Sequence, residues 1–281
     1  MSRNVAINCH RVFLSWYFSD GSPVDKGSAQ FYNRGKGDFS MKNKVPLFPE
    51  GKSKYFTMSF DDGVVQDRQL IRLMNAYGIR GAFHISTGLF GVCAAENSPV
   101  YPYQRRCTQE EAAVLYPDSG QEIALHGYKH LRVAQLSAPE IEYELRNDLK
   151  QHEAIFHRQP RGYSYPGGSV SEAAVRVLRA LGIVYARTAE SSYSFDLPVD
   201  PLKWACTCHY ADPQMPELLR QFLNSYPDDV PQLFSVWGHS YECEMYGNWD
   251  LMEFLLRSVG RRDDIQYITP LELFGRLSES E

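Results

Sequence analysis

From Lys54 onward the chain alternates short β-prone runs with stretches in which apolar residues recur at three and four, the pattern of successive βα units. Tyr55-Phe56-Thr57-Met58-Ser59-Phe60 is the first predicted strand. Apolar residues at 70, 71, 73, 74 and 77 place a helix over Asp67 to Tyr77, which Gly78 ends. Gly81 to Thr87 reads as the second strand, followed by an irregular segment containing Pro99, Pro102 and Cys107. Thr108, with Glu111 three residues on, opens a helix to Tyr116 as a capping box. Gln121 to Gly127 is the third strand, and Ser137-Ala138-Pro139-Glu140 begins a long amphipathic helix to about Phe156. The fourth strand is Gly162 to Pro166; Ser171 caps a helix ending near Gly182; Ile183 to Ala186 is the fifth. Lys203 to His209 and Gln232 to His239 are the sixth and seventh. A helix from Asp250 to Val259, a strand Gln266 to Thr269 and a short helix begun by Pro270 close the chain. Unbroken βα alternation predicts an α/β fold with one parallel barrel or sheet. Chemistry in such folds gathers at the carboxyl ends of the strands.

Residues Ser19 to Ser53 are rich in Gly, Ser, Lys, Asp and Asn and show no period. The chain is therefore expected to divide into an extension over 1–53, partly loop or leader, and a domain over 54–281. With 281 residues, 43% of them hydrophobic and 22% charged, there is enough apolar material for one large core. A net charge of -5 gives no electrostatic reason to expect nucleic acid or anionic membrane as a partner. The apolar run Val12 to Phe18 stops at Ser19-Asp20-Gly21, too short for a signal h-region, so the cytoplasm is the expected compartment. The six cysteines, at 9, 93, 107, 206, 208 and 243, are irregularly spaced and read as reduced thiols.

Candidate chemistry lies at the predicted strand ends. Asp61-Asp62-Gly63 follows the first strand, and alternation points the two carboxylates in different directions. One can bind a metal while the other handles protons. On its own the tripeptide is ordinary turn chemistry. His126 and His130 lie four apart where the third strand runs out, and a helical or tightly turned segment puts both imidazoles on one side. Two histidines and a carboxylate such as Asp62 suit zinc or a similar first-row ion, with positions left for water and substrate. His239 ends the seventh strand with Glu242 and Glu244 close behind, a placement in which a carboxylate can hold a protonated imidazole.

Four ordered motifs resemble the polysaccharide deacetylases of carbohydrate esterase family 4 over about Lys54 to Leu277. They are Ser59-Phe60-Asp61-Asp62-Gly63, His126-Gly127-Tyr128-Lys129-His130, Tyr163-Ser164-Tyr165-Pro166-Gly167-Gly168 and Trp237-Gly238-His239-Ser240. The resemblance implies a distorted (β/α)7-type barrel of parallel strands with the active site at their carboxyl ends. It implies Asp61 as the general base acting on metal-bound water, Asp62, His126 and His130 as metal ligands, and His239 as the acid that protonates the leaving amine. The implied cofactor is a divalent metal, zinc first, with cobalt or another first-row ion as alternatives. The third motif departs from the family: Ser164 stands where an arginine usually braces the catalytic aspartate, and Gly167 where a tyrosine is usual. Arg161 is a possible replacement, but on a strand it points to the face opposite Ser164. The Gly167 backbone N–H remains able to stabilise an oxyanion.

Aromatics near strand ends, Tyr128, Tyr165, Trp204, Trp237 and Tyr241, are candidates for a sugar-binding mouth, and Asp196, Asp200, Cys208 and His209 for the same cleft. The expected activity is metal-dependent removal of acetyl groups from an N-acetylated sugar or oligosaccharide, with a carbohydrate or other small molecule as the partner. Two alternatives stand beside it: hydrolysis of a different, non-sugar and non-peptide C–N bond at the same metal site, and an inactive carbohydrate-binding protein.

Overall fold

The computed structural model describes residues 52–227 and 230–279. The expected extension over 1–53 lies outside these residues apart from its last two. In chain order the strands are β1 (Lys54–Asp61), β2 (Gly81–Ile85), β3 (Glu122–Leu125), β4 (Gly162–Ser164), β5 (Tyr185–Ser191), β6 (Trp204–Cys206), β7 (Cys208–His209), β8 (Gln232–Gly238) and β9 (Ile265–Tyr267). The helices are α1 (Asp67–Tyr77), α2 (Gln109–Leu115), α3 (Ala138–Phe156), α4 (Glu172–Ala180), α5 (Met215–Asn224), α6 (Ser240–Met245), α7 (Trp249–Val259) and α8 (Pro270–Glu279). Every strand pairing is parallel, and the order is β6-β5-β4-β3-β2-β1-β8-β7.

The two end strands of that order, β6 and β7, are separated in the chain by the single residue Thr207. The sheet thus returns on itself through one kinked segment, and counting β6 with β7 as one gives seven strands along that path, with β9 off it beside β1, the distorted (β/α)7 arrangement expected from the sequence. Thr207 seals the kink. Its N–H donates to Ser235 Oγ at 3.0 Å, and its Oγ1 accepts from the Ser235 N–H at 3.1 Å. The sequence pattern shows this segment as one strand with Cys206 and Cys208 on one face, whereas the kink at Thr207 turns Cys206 to the inner plug and Cys208 to the main core. β1 has β8 along one edge, while the other edge is shared by β9 at Lys54–Phe56 and β2 at Met58–Asp61.

Alternation sorts β1 into two faces. Phe56, Met58 and Phe60 point outward into the main core, beneath α1, α5 and α7. Tyr55 points inward and joins Tyr185, Trp204, Leu233 and, from α8, Phe274, an aromatic plug in the amino-terminal half of the barrel interior. Each such fully buried aromatic or aliphatic side chain stabilises the fold by about 1.5–3 kcal/mol. The carboxyl-terminal half of the same face is polar: Ser59 and Asp61. A second apolar layer, including Tyr163 and Tyr165 of the β4 region, lies under α3 and α4.

The local signals act as expected at several ends. Thr108 and Glu111 form the capping box of α2, and Gly78 ends α1 at φ 71°, a left-handed conformation glycine adopts without steric cost. Two helices, α5 and α6, do not stand out in the sequence; Pro213 and Pro216 mask the first, although Pro216 lies within its first turn where proline is tolerated. The fifth strand begins at Tyr185 rather than Ile183, because the Ile183 N–H is still used to close α4 on Leu178 O at 3.1 Å. It also runs on to Ser191, which brings Arg187 into the sheet. No described helix is long and apolar enough to cross a membrane.

Candidate metal and acid–base site

The polar carboxyl-terminal end of the barrel collects side chains from β1, β3, β4, β5 and β8. At the end of β1 the inward position is Asp61, and Asp62 turns away with φ 82°. His126 follows β3, and the loop Gly127 to His130 is a tight turn, with the His130 N–H on Gly127 O at 3.3 Å. His130 itself has φ 55°. Left-handed backbone at two non-glycine residues is uncommon and gathers where side chains must be aimed. Helix α3 pins this loop from behind: Asp148 accepts from the His126 N–H at 3.3 Å and Glu144 from the Lys129 N–H at 2.8 Å.

Asp62, His126 and His130 present their donor atoms within 4.8 Å of one another. Asp62 Oδ1 lies 3.5 Å from His130 Nε2 and 4.0 Å from His126 Nε2. His126 Nδ1 donates to Ser164 O at 2.9 Å, which fixes the tautomer and leaves Nε2 free to ligate. Burial lowers His126 to about 4 and also lowers His130, so both rings are neutral at pH 7. Burial alone would raise the Asp62 carboxyl, but Arg106, first among its charged neighbours, holds it below the ordinary carboxylate value. Each group is therefore already in the protonation state a metal requires. Gln104 and Arg106 bind the Asp62 oxygens at 2.6 and 2.8 Å and hold the carboxylate in place. This donor set fits a divalent first-row ion with open positions.

The brace on Asp61 comes from β5. Arg187 is paired in register with Ser164; its Nη2 donates to Asp61 Oδ2, and Ser164 Oγ donates to Asp61 Oδ1 at 2.9 Å. Burial would raise the Asp61 carboxyl, yet Arg187 and then His126 hold it well below the ordinary range. Arg187 is itself fixed: Nε donates to Ser59 Oγ at 2.9 Å, Nη1 to Thr188 O at 2.8 Å, and the guanidinium lies 4.9 Å from the Trp237 ring centre. Behind it, Ser59 Oγ meets His84 Nε2 at 2.9 Å and His84 Nδ1 faces Leu125 O at 3.3 Å. Burial drives His84 down to about 3, so this chain of hydrogen bonds is neutral up to the arginine. Arg161, the replacement considered from the sequence, is exposed and donates instead to Gly182 O.

On the β8 side, burial opposes a charge on His239, but the Glu242 carboxylate, followed by Asp62, outweighs it and raises the imidazole to about 9. His239 Nδ1 is 3.3 Å from Glu242 Oε1. Glu242 also accepts from His209 Nε2 at 3.0 Å. His209, His239 and Glu242 lie close enough to be a second donor set. However, His209 Nδ1 accepts from the Ala211 N–H at 3.2 Å, whereas a ring ligating through Nε2 carries its proton on Nδ1. The cluster is a hydrogen-bonded group.

The structure brings Asp61, Asp62, His126, His130 and His239 to one end of the barrel, with Trp237 and Tyr241 beside His239 at ring distances of 6.1 and 5.2 Å. Gly167 is exposed at φ 59°, and a Cβ there would lie 3.2 Å from Arg132 Nε. It does not bring Tyr165 and Trp204 to the mouth. With Ser164 inward, alternation sends Tyr165 outward, where its hydroxyl donates to Leu202 O at 2.8 Å. Trp204 does point inward but starts its strand, so it packs on Phe274 and Tyr185 in the aromatic plug. Among the residues missed from the sequence, Arg187 had a readable signal: an arginine two positions after Tyr185 shares its inward face. Gln104 and Arg106 had none, because they lie in the irregular segment after β2.

Residues 49–186 match the family model of the polysaccharide deacetylases. No curated protein matches the chain. Among solved structures, a putative polysaccharide deacetylase from Mycobacterium smegmatis is similar with a TM-score of 0.57 and 15% identity, over 83% of this chain and 92% of that one. A carbohydrate esterase family 4 pseudoenzyme from Bacillus anthracis, in a mutant with restored enzymatic activity, is similar with a TM-score of 0.50 and 16% identity, over 80% and 68%. At such identities the likeness is one of fold.

Proposed function

We propose that this chain, which over residues 49–186 belongs to the polysaccharide deacetylase family, is a zinc-dependent hydrolase that removes acetyl groups from an N-acetylated sugar or oligosaccharide. The observation that carries the reading is the convergence of three parts at one barrel end: the Asp62, His126 and His130 donor set, a carboxylate braced by Arg187, and an imidazole backed by Glu242. Cobalt and other first-row ions suit the same donors. A divalent ion held by those three residues supplies Lewis-acid polarisation of the acyl carbonyl and acidification of water.

The protein supplies the proton transfers and the orientation. Asp61, kept ionised and aimed by Arg187 and Ser164, accepts the proton of the attacking water. His239, charged against Glu242, gives its proton to the departing nitrogen. The Gly167 N–H is the donor assigned to the developing oxyanion. Of the aromatics beside His239, the half-buried Trp237 is the one assigned to meet a sugar ring, while Tyr241 is buried. A cytoplasmic setting, in which the cysteines stay reduced, is part of this proposal.

A second reading, a different C–N bond in a small molecule, is favoured by one observation: Arg132, not an aromatic, lies against Gly167 in the third motif. Acetate release from N-acetylated chito-oligosaccharides, with zinc removed and restored, separates the readings. Release that stops with chelation and returns with zinc supports the deacetylase. Metal binding without acetate release from any sugar supports the second reading, and failure to bind zinc, cobalt or any other divalent first-row ion sinks both.

A further inference from the structure

We propose that His209 is a positioning residue for the acid half of the reaction: it fixes the Glu242 carboxylate so that a single oxygen faces His239. The proposal rests on the reading of His239 as the acid. His209 and His239 come from the ends of neighbouring strands, since β7 and β8 pair His209 with Trp237. The His209 ring accepts the Ala211 N–H on Nδ1 at 3.2 Å, so its own proton sits on Nε2. That Nε2–H donates to Glu242 Oε2 at 3.0 Å. The same oxygen accepts from the His239 backbone N–H at 3.2 Å. Two donors from two strands therefore occupy Oε2 and set the carboxylate plane. Oε1 is left to face His239 Nδ1 at 3.3 Å.

The rest of the surroundings show that His209 is held for this purpose. Its ring packs 4.7 Å from Trp237 and 4.8 Å from Tyr210, centre to centre. Gly238 leaves the space that the arrangement needs, since a Cβ there would fall 2.5 Å from Tyr210 Cδ1 and 3.1 Å from His209 Nε2. Without the His209 donor, Oε2 keeps only the backbone N–H, and the carboxylate plane facing His239 is less firmly fixed. The consequence falls on protonation of the leaving group and leaves the metal donors untouched.

The test uses the zinc-loaded full chain, with His209→Leu and His209→Gln, on two substrates. One is an N-acetylated chito-oligosaccharide, whose amine must be protonated to leave. The other is 4-nitrophenyl acetate, whose phenolate leaves without a proton. His209→Leu is expected to lose about ten-fold in kcat on the amide, the size set by losing a hydrogen bond to a charged group. KM should change little, and the ester rate should hold within about two-fold. His209→Gln, whose amide N–H can replace the donor, should recover most of the loss. Equal losses on both substrates, or a loss confined to KM, would overturn the proposal. Long-range 1H–15N spectra of the zinc-free wild type decide it independently of turnover: the His209 proton must be on Nε2, and the His239 ring shifts must move in His209→Leu. A proton on His209 Nδ1, or unmoved His239 shifts, refutes it. If the wild type hydrolyses neither substrate, the deacetylase reading falls while the spectra still decide the role of His209.

Discussion

Replacing Arg187 with Met isolates the pair on which the base depends. Arg187 is 1% exposed and Asp61 4%, and Met keeps the apolar stem while deleting the guanidinium. Breaking a buried pair by removing one partner costs about 3–5 kcal/mol, because the other charge is left uncompensated. Here the Ser164 hydroxyl remains on Asp61 Oδ1, which places the expected loss near the lower end, about 3 kcal/mol at pH 7 in zinc-free protein. The pH dependence follows from sign. In the wild type the Asp61 carboxyl is held well below its unfolded value, so its contribution is complete above about pH 4 and is lost only in stronger acid. In Arg187→Met, burial dominates and lifts the carboxyl above its unfolded value. The folded variant then binds the proton more tightly than the unfolded chain, and its stability falls as pH rises from about 4. Urea denaturation with a chelator present should show a wild-type-to-variant gap that widens from about pH 4.5 to about pH 7. A gap below about 1 kcal/mol at neutral pH, or one that does not change with pH, would refute the assignment of Arg187 as the compensating charge.

Asp61→Asn should bind zinc with unchanged stoichiometry in a calorimetric titration and lose about 10²–10⁴-fold in kcat, whereas His126→Ala should lose both binding and turnover. Glu242→Gln removes the chief group that raises His239 to about 9. The raised imidazole contributes stability fully below its unfolded value of about 6.5 and loses it as pH rises through its folded value, so the variant should forfeit stability in that window. The alkaline limb of its pH–kcat profile should move down as well. Gly238→Ala should destabilise by about 1–3 kcal/mol in urea, since the added Cβ would meet Tyr210 Cδ1 at 2.5 Å.

Much of the site was legible because strand alternation and strand ends carry strong signals. Asp61, His126 and His239 follow apolar runs that are buried strands, and the polar residue closing such a run must face the mouth. Alternation also gives Arg187, once β5 is known to begin at Tyr185; that shift depended on the Ile183 N–H being spent on α4, which periodicity does not record. Tyr165 and Trp204 show the opposite failure. Both are aromatic and near a strand, but one is outward and the other starts its strand, so proximity in sequence did not translate into proximity to the mouth. Barrel closure at Thr207 was hidden because apolar residues alternate through Lys203 to His209 as in one strand, although the kink turns Cys206 and Cys208 to opposite faces. Gln104, Arg106 and the bond from His209 to Glu242 depend on loop paths between strands and leave no periodic trace.

The measurement that bears most directly on the account is a crystal structure of the zinc-loaded protein. It should place one ion ~2.0–2.2 Å from an oxygen of Asp62 and from Nε2 of His126 and His130, with Asp61 outside the coordination sphere and still on Arg187. An ion seated on His209, His239 and Glu242, or coordinated by Asp61 in place of Asp62, would contradict the division of roles on which the mechanism stands.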